Sequence, residues 1–125
     1  MSESLEMFKA VKRIPGIEIR PTSKEPEYLE VVVKKEALES LNSILRSYLG
    51  PAAKNPGKEA NLPVEIQGIV DSLGGLRLEQ SFFYRQDQNQ VLFASLWPWM
   101  SNPNKITLKT GVRNFLPGRR HRTPG

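Results

Sequence analysis

The sequence predicts a single α+β domain in which helices pack on an antiparallel sheet. The length of 125 residues is typical of one domain. Apolar residues recur at helical spacing in some segments and alternate in others. The last three predicted strands follow one another with no helix between them, which favours α+β over α/β. The predicted order is α-β-β-α-α-β-β-β, with an N-terminal hairpin and a C-terminal three-stranded meander packed by two or three helices.

The N-terminal third contains one predicted helix and two predicted strands. Residues 2–13 carry apolar side chains every three positions, and Pro15-Gly16 ends this helix. Residues 17–20 alternate between apolar and charged side chains, and residues 28–33 are rich in β-branched side chains. We expect these two strands to pair as a hairpin across the turn-forming segment between them.

Two helices are predicted in the middle of the chain. Residues 36–49 form the clearest amphipathic pattern in the sequence. A shorter helix follows Pro63, and Gly74-Gly75 ends it. Lys54 and Lys58 lie on the glycine-bearing loop between the helices, where they could hold an anion such as phosphate; an ordinary connection is the alternative.

Three strands are predicted in the C-terminal part. Residues 76–85 alternate, residues 91–97 are apolar on both faces, and residues 106–112 alternate again. The folded domain is therefore predicted to cover residues 1–115. Residues 116–125 are rich in proline, glycine and arginine, and predict a disordered basic tail.

Charge is distributed unevenly along the chain. Residues 1–87 contain all 13 acidic and 12 of the 18 basic residues, whereas residues 88–125 contain six basic residues and no acid. The whole formal net charge of +5 therefore originates in the last third. Such an asymmetry favours a polyanionic partner, and a solvated basic surface is the alternative.

The sequence lacks the residues on which several common kinds of active site depend. The chain has no cysteine, and its single histidine, His121, lies in the predicted tail. It has no phosphate-binding glycine motif. We therefore expect a non-enzymatic protein without a cofactor or metal. The absence of an apolar leader and of a span longer than residues 91–100 predicts a soluble, cytoplasmic protein without a membrane partner.

The last predicted strand carries a stripe of polar residues at period two. Lys105, Thr107, Lys109 and Arg113 share one face, and same-face neighbours on a strand lie about 6.5–7 Å apart. Gly111, between them, would let a ligand approach closely. This spacing suits the phosphates of an extended nucleic acid. The predicted polyanion-binding set also includes three residues of the tail, Arg119, Arg120 and Arg122. The alternative is that lysines on an exposed edge strand prevent aggregation.

Aromatic residues supply a second predicted surface. Phe82 and Trp97 are assigned to the core, whereas Phe83 and Trp99 are the candidates for exposure. Exposed aromatics beside arginines can stack unpaired bases. They are equally typical of protein–protein hot spots. The second hypothesis is therefore an adaptor or a homodimer that uses these aromatics or adds a strand along the last strand.

A third hypothesis is a small-ligand binder or enzyme with an unrecognised pocket. Its site would be assembled from Glu79, Tyr84, Arg85 and Trp99. Their residue types suit polar recognition, but the sequence contains no motif that brings them together.

Overall fold

The predicted α+β fold is confirmed. A computed structural model of the chain describes residues 3–59, 61–87 and 89–114. The order of the elements is α-β-β-α-α-β-β-β, as predicted. A single 3-10 turn, Lys35–Ala37, precedes the second helix. The elements are α1 (Glu3–Lys12), β1 (Glu18–Ile19), β2 (Tyr28–Lys34), α2 (Leu38–Leu49), α3 (Val64–Ser72), β3 (Ser81–Asp87), β4 (Gln90–Pro98) and β5 (Lys105–Asn114).

The described strands form one five-stranded antiparallel sheet with the order β1-β2-β5-β4-β3. β1 and β2 form the predicted hairpin, and β3, β4 and β5 form the predicted meander. The two parts join because β2 pairs with β5 over seven residues, from Tyr28 opposite Gly111 to Lys34 opposite Lys105. The predicted tail, residues 116–125, lies outside the described residues.

One side of the sheet is covered by α1 and α2, and we call it the helical face. Alternate strand residues such as Val31, Leu108 and Phe83 point to this side and are buried. Phe8 of α1 and Leu45 of α2 pack against them. Both helices present an apolar stripe at helical spacing, which explains why they pack here. This cluster is the main hydrophobic core.

The opposite side of the sheet carries α3, and we call it the groove face. Ile66, Ile69 and Val70 of α3 pack on Phe82 and Phe93 in a second, smaller cluster. α3 has only nine residues, so it covers a small part of this side. The polar residues of β5 lie on the part that α3 leaves uncovered.

The third predicted strand starts later than its alternation indicates. Residues 76–85 were predicted, but β3 begins at Ser81. The ammonium of buried Lys54 donates to the carbonyls of Leu78 and Gln80 at 2.8 and 2.6 Å, and the Gln80 N–H donates to the carbonyl of Arg77. These bonds hold the segment before Ser81 in a turn, away from the sheet.

Candidate binding groove

The groove face presents the stripe predicted on the last strand. Lys105, Thr107 and Lys109 are half-buried on this side, and Arg113 is exposed. β4 contributes the residues beside them, since Trp97 lies opposite Thr107 and Ser95 lies opposite Lys109. Period-two alternation therefore places the four predicted residues on one face. Arg119, Arg120 and Arg122 of the predicted set lie outside the described residues.

The last strand is not an edge strand, and the hypothesis of strand addition along it is wrong. β5 pairs with β2 on one side and with β4 on the other. Its backbone groups are therefore engaged in two ladders. The edges of the sheet are β1 and β3. Aggregation control at an open edge consequently does not explain the lysines of β5.

Phe83 is not exposed, because it lies on the helical face, which α1 and α2 cover. Its side chain is 2% exposed and belongs to the core of the helical face, while Phe82 is buried on the groove face. Ser81 and Arg85, which share a face with Phe83 by alternation, gave no indication that α2 lies over it. Trp99 is half-buried and remains accessible, and Trp97, which was assigned to the core, is also half-buried.

Two tryptophans, Trp97 of β4 and Trp99 just after this strand, each lie beside a cation. The ammonium of Lys105 is 5.3 Å from the ring centroid of Trp99, and that of Lys109 is 4.0 Å from the ring centroid of Trp97. Both distances lie within the range of cation–π attraction. The indole N–H of Trp99 donates to Thr107 Oγ1 at 2.7 Å, which fixes the orientation of the ring. Trp99 is thus an oriented aromatic platform with the Lys105 ammonium over it.

Trp97 is packed more tightly than Trp99. A Cβ added to Gly74, which has a φ of +107°, would lie 3.1 Å from the Trp97 ring, so glycine fits both the turn and the contact. The guanidinium of Arg77 lies 5.9 Å from the same ring. Lys109 is also held by a hydrogen bond to the Leu73 carbonyl at 3.0 Å. Trp97 therefore supports the cations and is the less accessible platform.

Two other members of the stripe have intramolecular partners. Arg113 donates to Ser72 Oγ at 2.9 Å and lies 5.9 Å from the Phe93 ring. Gly111 is buried, and the nearest atom to a Cβ placed there would be the Glu27 carbonyl oxygen at 2.5 Å. The expected close approach at Gly111 therefore involves the protein's own backbone and not a ligand.

Two clefts meet on the groove face. One has a volume of about 560 Å³ and lies between α3, β5 and the turn before β2. The other has a volume of about 440 Å³ and contains both tryptophans, Arg77 and exposed Met100. Glu30 and Lys109 line both clefts, so the two clefts adjoin along β5. We call the two adjoining clefts the groove.

Glu30 and Tyr28 are groove residues that the sequence reasoning missed. The Tyr28 hydroxyl donates to Glu30 Oε1 at 2.7 Å. Burial, and then the hydrogen bond to Glu30, raise the pKa of Tyr28 above its usual range, so the hydroxyl stays a donor. Alternation along residues 28–34 could have indicated that Tyr28 and Glu30 share a face. Residues 28–33 were instead predicted as a strand from their β-branched side chains, without an assignment of the two faces.

The residues of the third hypothesis are not brought together. Tyr84 packs with the α3 cluster, whereas Arg85 donates to the Tyr48 carbonyl at the end of α2 on the other side of the sheet. Glu79 pairs with Arg77 at 2.8 Å and lines a cavity on the helical face. Trp99 lines the groove. The proposed four-residue pocket is therefore wrong.

Lys54 is not an anion-binding residue on an open loop. It is 3% exposed, and its ammonium donates to three carbonyls, those of Asn55, Leu78 and Gln80. Desolvation by burial lowers its pKa. Its three N–H bonds are directed inward, so it stabilises the loop instead of binding an anion.

Comparison of the chain with protein-family models, with curated proteins and with solved structures gave no match. Within the described residues, no helix has the length and apolar character that crossing a bilayer requires. The same part of the chain contains no cluster of three or more carboxylate or imidazole side chains suited to a metal ion.

Proposed function

We propose that the chain is a non-enzymatic binding module whose groove binds single-stranded nucleic acid. The observation that carries this proposal is the pair of tryptophans in the groove, each with a lysine of β5 over its ring. Aromatic platforms combined with cations are the usual means by which proteins bind unpaired strands. The net positive charge of the last third of the chain agrees with a polyanionic ligand.

Trp99 is the residue on which we expect a base to stack. Its ring is held by Thr107, and the lysine over it is farther away than the one over Trp97. A base can replace the Lys105 ammonium over the ring, and the long lysine side chain can then turn to a phosphate. Stacking of one base on an aromatic side chain contributes about 1–3 kcal/mol.

The cations of the groove are spaced for a sugar–phosphate backbone. Lys105, Lys109 and Arg113 are four residues apart, or roughly 13 Å along an extended strand. Two nucleotides of an extended single strand span such a distance. The whole row from Lys105 to Arg113 measures roughly 26 Å and suits a ligand of about four nucleotides.

The proposal is tested by titrating a fluorescently labelled single-stranded oligonucleotide while following its anisotropy and the tryptophan emission. We expect emission quenching and, if three phosphates are neutralised, a slope of log affinity against log salt of roughly −2. Replacing Trp99 by alanine should weaken binding at least fivefold, which corresponds to about 1 kcal/mol.

A charge-matched pair of variants separates the groove from the remaining surface. Lys105→Gln, Lys109→Gln and Arg113→Gln combined should weaken binding and flatten the salt dependence. The control combines Lys9→Gln, Arg13→Gln and Arg46→Gln, which lie on exposed positions of the helical side. Equal losses in the two triple variants would mean that binding depends only on net charge, and the groove would not be the site.

A protein partner is the second candidate, favoured by Met100. This side chain is 78% exposed beside Trp99, and exposed methionine and tryptophan are enriched at protein interfaces. A homodimer formed by strand pairing would use an edge strand, β1 or β3, and not β5. If this candidate is right, the chain should capture a partner protein, and the capture should require Trp99 and change little with salt.

A further inference from the structure

Two acidic side chains line the groove, Glu27 and Glu30, and Glu30 faces the lysine stripe of β5 directly. Glu30 lines both clefts, although a carboxylate repels the phosphates that the neighbouring lysines attract. We propose that Glu30 selects guanine in the bound strand by accepting hydrogen bonds from N1–H and from the N2 amino group of that base. This inference rests on the proposed function of the groove.

The backbone of Glu30 is held in place on both sides. Its N–H donates to Ser23 Oγ at 2.9 Å, and the Ser23 hydroxyl donates back to the Glu30 carbonyl at 3.1 Å. The Arg20 N–H donates to the same carbonyl at 2.8 Å. The carboxylate therefore projects into the groove from a fixed point, as specific recognition requires.

The side chain of Glu30 is oriented but retains acceptor capacity. Its Oε1 accepts the Tyr28 hydroxyl at 2.7 Å. An ionised carboxylate offers about four lone-pair sites, so most of them stay open to a ligand. A tyrosine hydroxyl is protonated throughout the physiological pH range, and the pKa of Tyr28 is raised further by burial, so this hydroxyl can orient the carboxylate over that whole range.

An ion pair with the neighbouring lysine does not explain the presence of Glu30 in the groove. Lys109 is its direct cross-strand neighbour on β5. The Lys109 ammonium is instead directed to the Leu73 carbonyl at 3.0 Å and to the Trp97 ring at 4.0 Å. No ion pair joins Glu30 and Lys109 in the described part of the chain. The carboxylate is therefore available to a base.

Guanine is the base whose edge matches a carboxylate. Its N1–H and N2 amino group are adjacent donors, so both carboxylate oxygens can accept from them. In adenine and cytosine the exocyclic amino group is next to a ring nitrogen that accepts, and in uracil the N3–H lies between two carbonyls. These acceptors repel a carboxylate. Unpaired bases are commonly recognised through this edge.

The test uses five-nucleotide RNAs with uridine flanks and a central guanosine, inosine, adenosine, cytidine or uridine, measured by anisotropy at low salt. Wild type should bind the guanosine strand about tenfold more tightly than the adenosine, cytidine and uridine strands. Inosine lacks the N2 amino group and should lose most of this advantage. Deoxyribose versions should keep the order of the bases.

Two isosteric variants test whether Glu30 causes the preference for guanosine. Glu30→Gln can still accept from Tyr28, but it presents an amide N–H to the base and should lose the guanosine preference while binding of the uridine strand stays equal or strengthens. Glu27→Gln removes the same charge from an exposed residue that lines only one cleft, and it should keep the preference. Thermal melting checks that both variants are folded.

The outcomes separate this inference from the proposed function. If the strands bind without a difference between guanosine and inosine, or if Glu30→Gln keeps the preference, guanine selection is overturned and the groove remains a nucleic-acid site. A preference that follows the ribose and not the base also overturns it. If no strand binds at low salt, both proposals are overturned.

Discussion

The two faces of the sheet differ in how completely they are covered. On the helical face, α1 and α2 bury a continuous apolar core that includes Phe83 and Leu108. On the groove face, α3 covers only part of the strands, and the two tryptophans, the lysines of β5 and Glu30 occupy the remainder. One face of the same strands thus forms the main core while the other leaves polar and aromatic side chains accessible, because alternate residues of a strand point to opposite sides.

The largest expected effect compares one aromatic residue from each face. Phe83→Ala should lower the free energy of unfolding by about 3–5 kcal/mol, because it opens a cavity in the main core. Trp99→Ala should lower it by only about 1–2 kcal/mol, since Trp99 is half-buried and loses one hydrogen bond. Urea unfolding measures both. Equal losses would show that the groove face is as important for stability as the helical face.

Substitution of Gly111, on the groove face, should destabilise the protein nearly as much. A Cβ at Gly111 would lie 2.5 Å from the Glu27 carbonyl oxygen and 3.1 Å from the Phe93 ring. Gly111→Ala should therefore cost about 2–3 kcal/mol through overpacking. Gly68 of α3 has open space around its Cβ position, and Gly68→Ala should instead stabilise the protein by about 0.5–1 kcal/mol. A tolerated Gly111→Ala would mean that β2 and β5 can separate there.

Replacement of Lys54, in the loop beside the sheet, should have a smaller effect on stability, and this effect should depend on pH. Lys54→Met removes a donor from three carbonyls and should cost about 1–3 kcal/mol at neutral pH. Two of these carbonyls, those of Asn55 and Leu78, keep a backbone N–H donor. Lys58→Met, on the same loop but exposed, should stay within about 0.5 kcal/mol of wild type.

The sign of the pH effect follows from the lowered pKa of Lys54. Between this pKa and the ordinary lysine value, the unfolded chain binds the proton and the folded chain does not. The free energy of unfolding of wild type therefore increases with pH across that interval. The difference between wild type and Lys54→Met should grow from neutral to alkaline pH. A constant difference in urea unfolding at several pH values would contradict the lowered pKa.

The candidate groove was partly predictable from alternation on one strand. Period two predicted that Lys105, Thr107, Lys109 and Arg113 share one face, and Trp99 was predicted to be exposed and is half-buried. Glu30 was missed, although it lies directly opposite Lys109. That contact joins residues 79 positions apart, and no local pattern reports such a pairing. The partners of the lysines, such as the Leu73 carbonyl, were hidden for the same reason.

The sequence by itself determined the elements of this protein, because helix and strand periodicities, Pro15-Gly16 and Gly74-Gly75 act over a few residues. It also determined that the last third of the chain is basic. Only the tertiary structure decided that β5 lies inside the sheet, that Phe83 is covered by α2, and that Lys54 is buried. These three outcomes depend on which distant segments pack together, and packing is a property of the assembled sheet and its two unequal layers of helices.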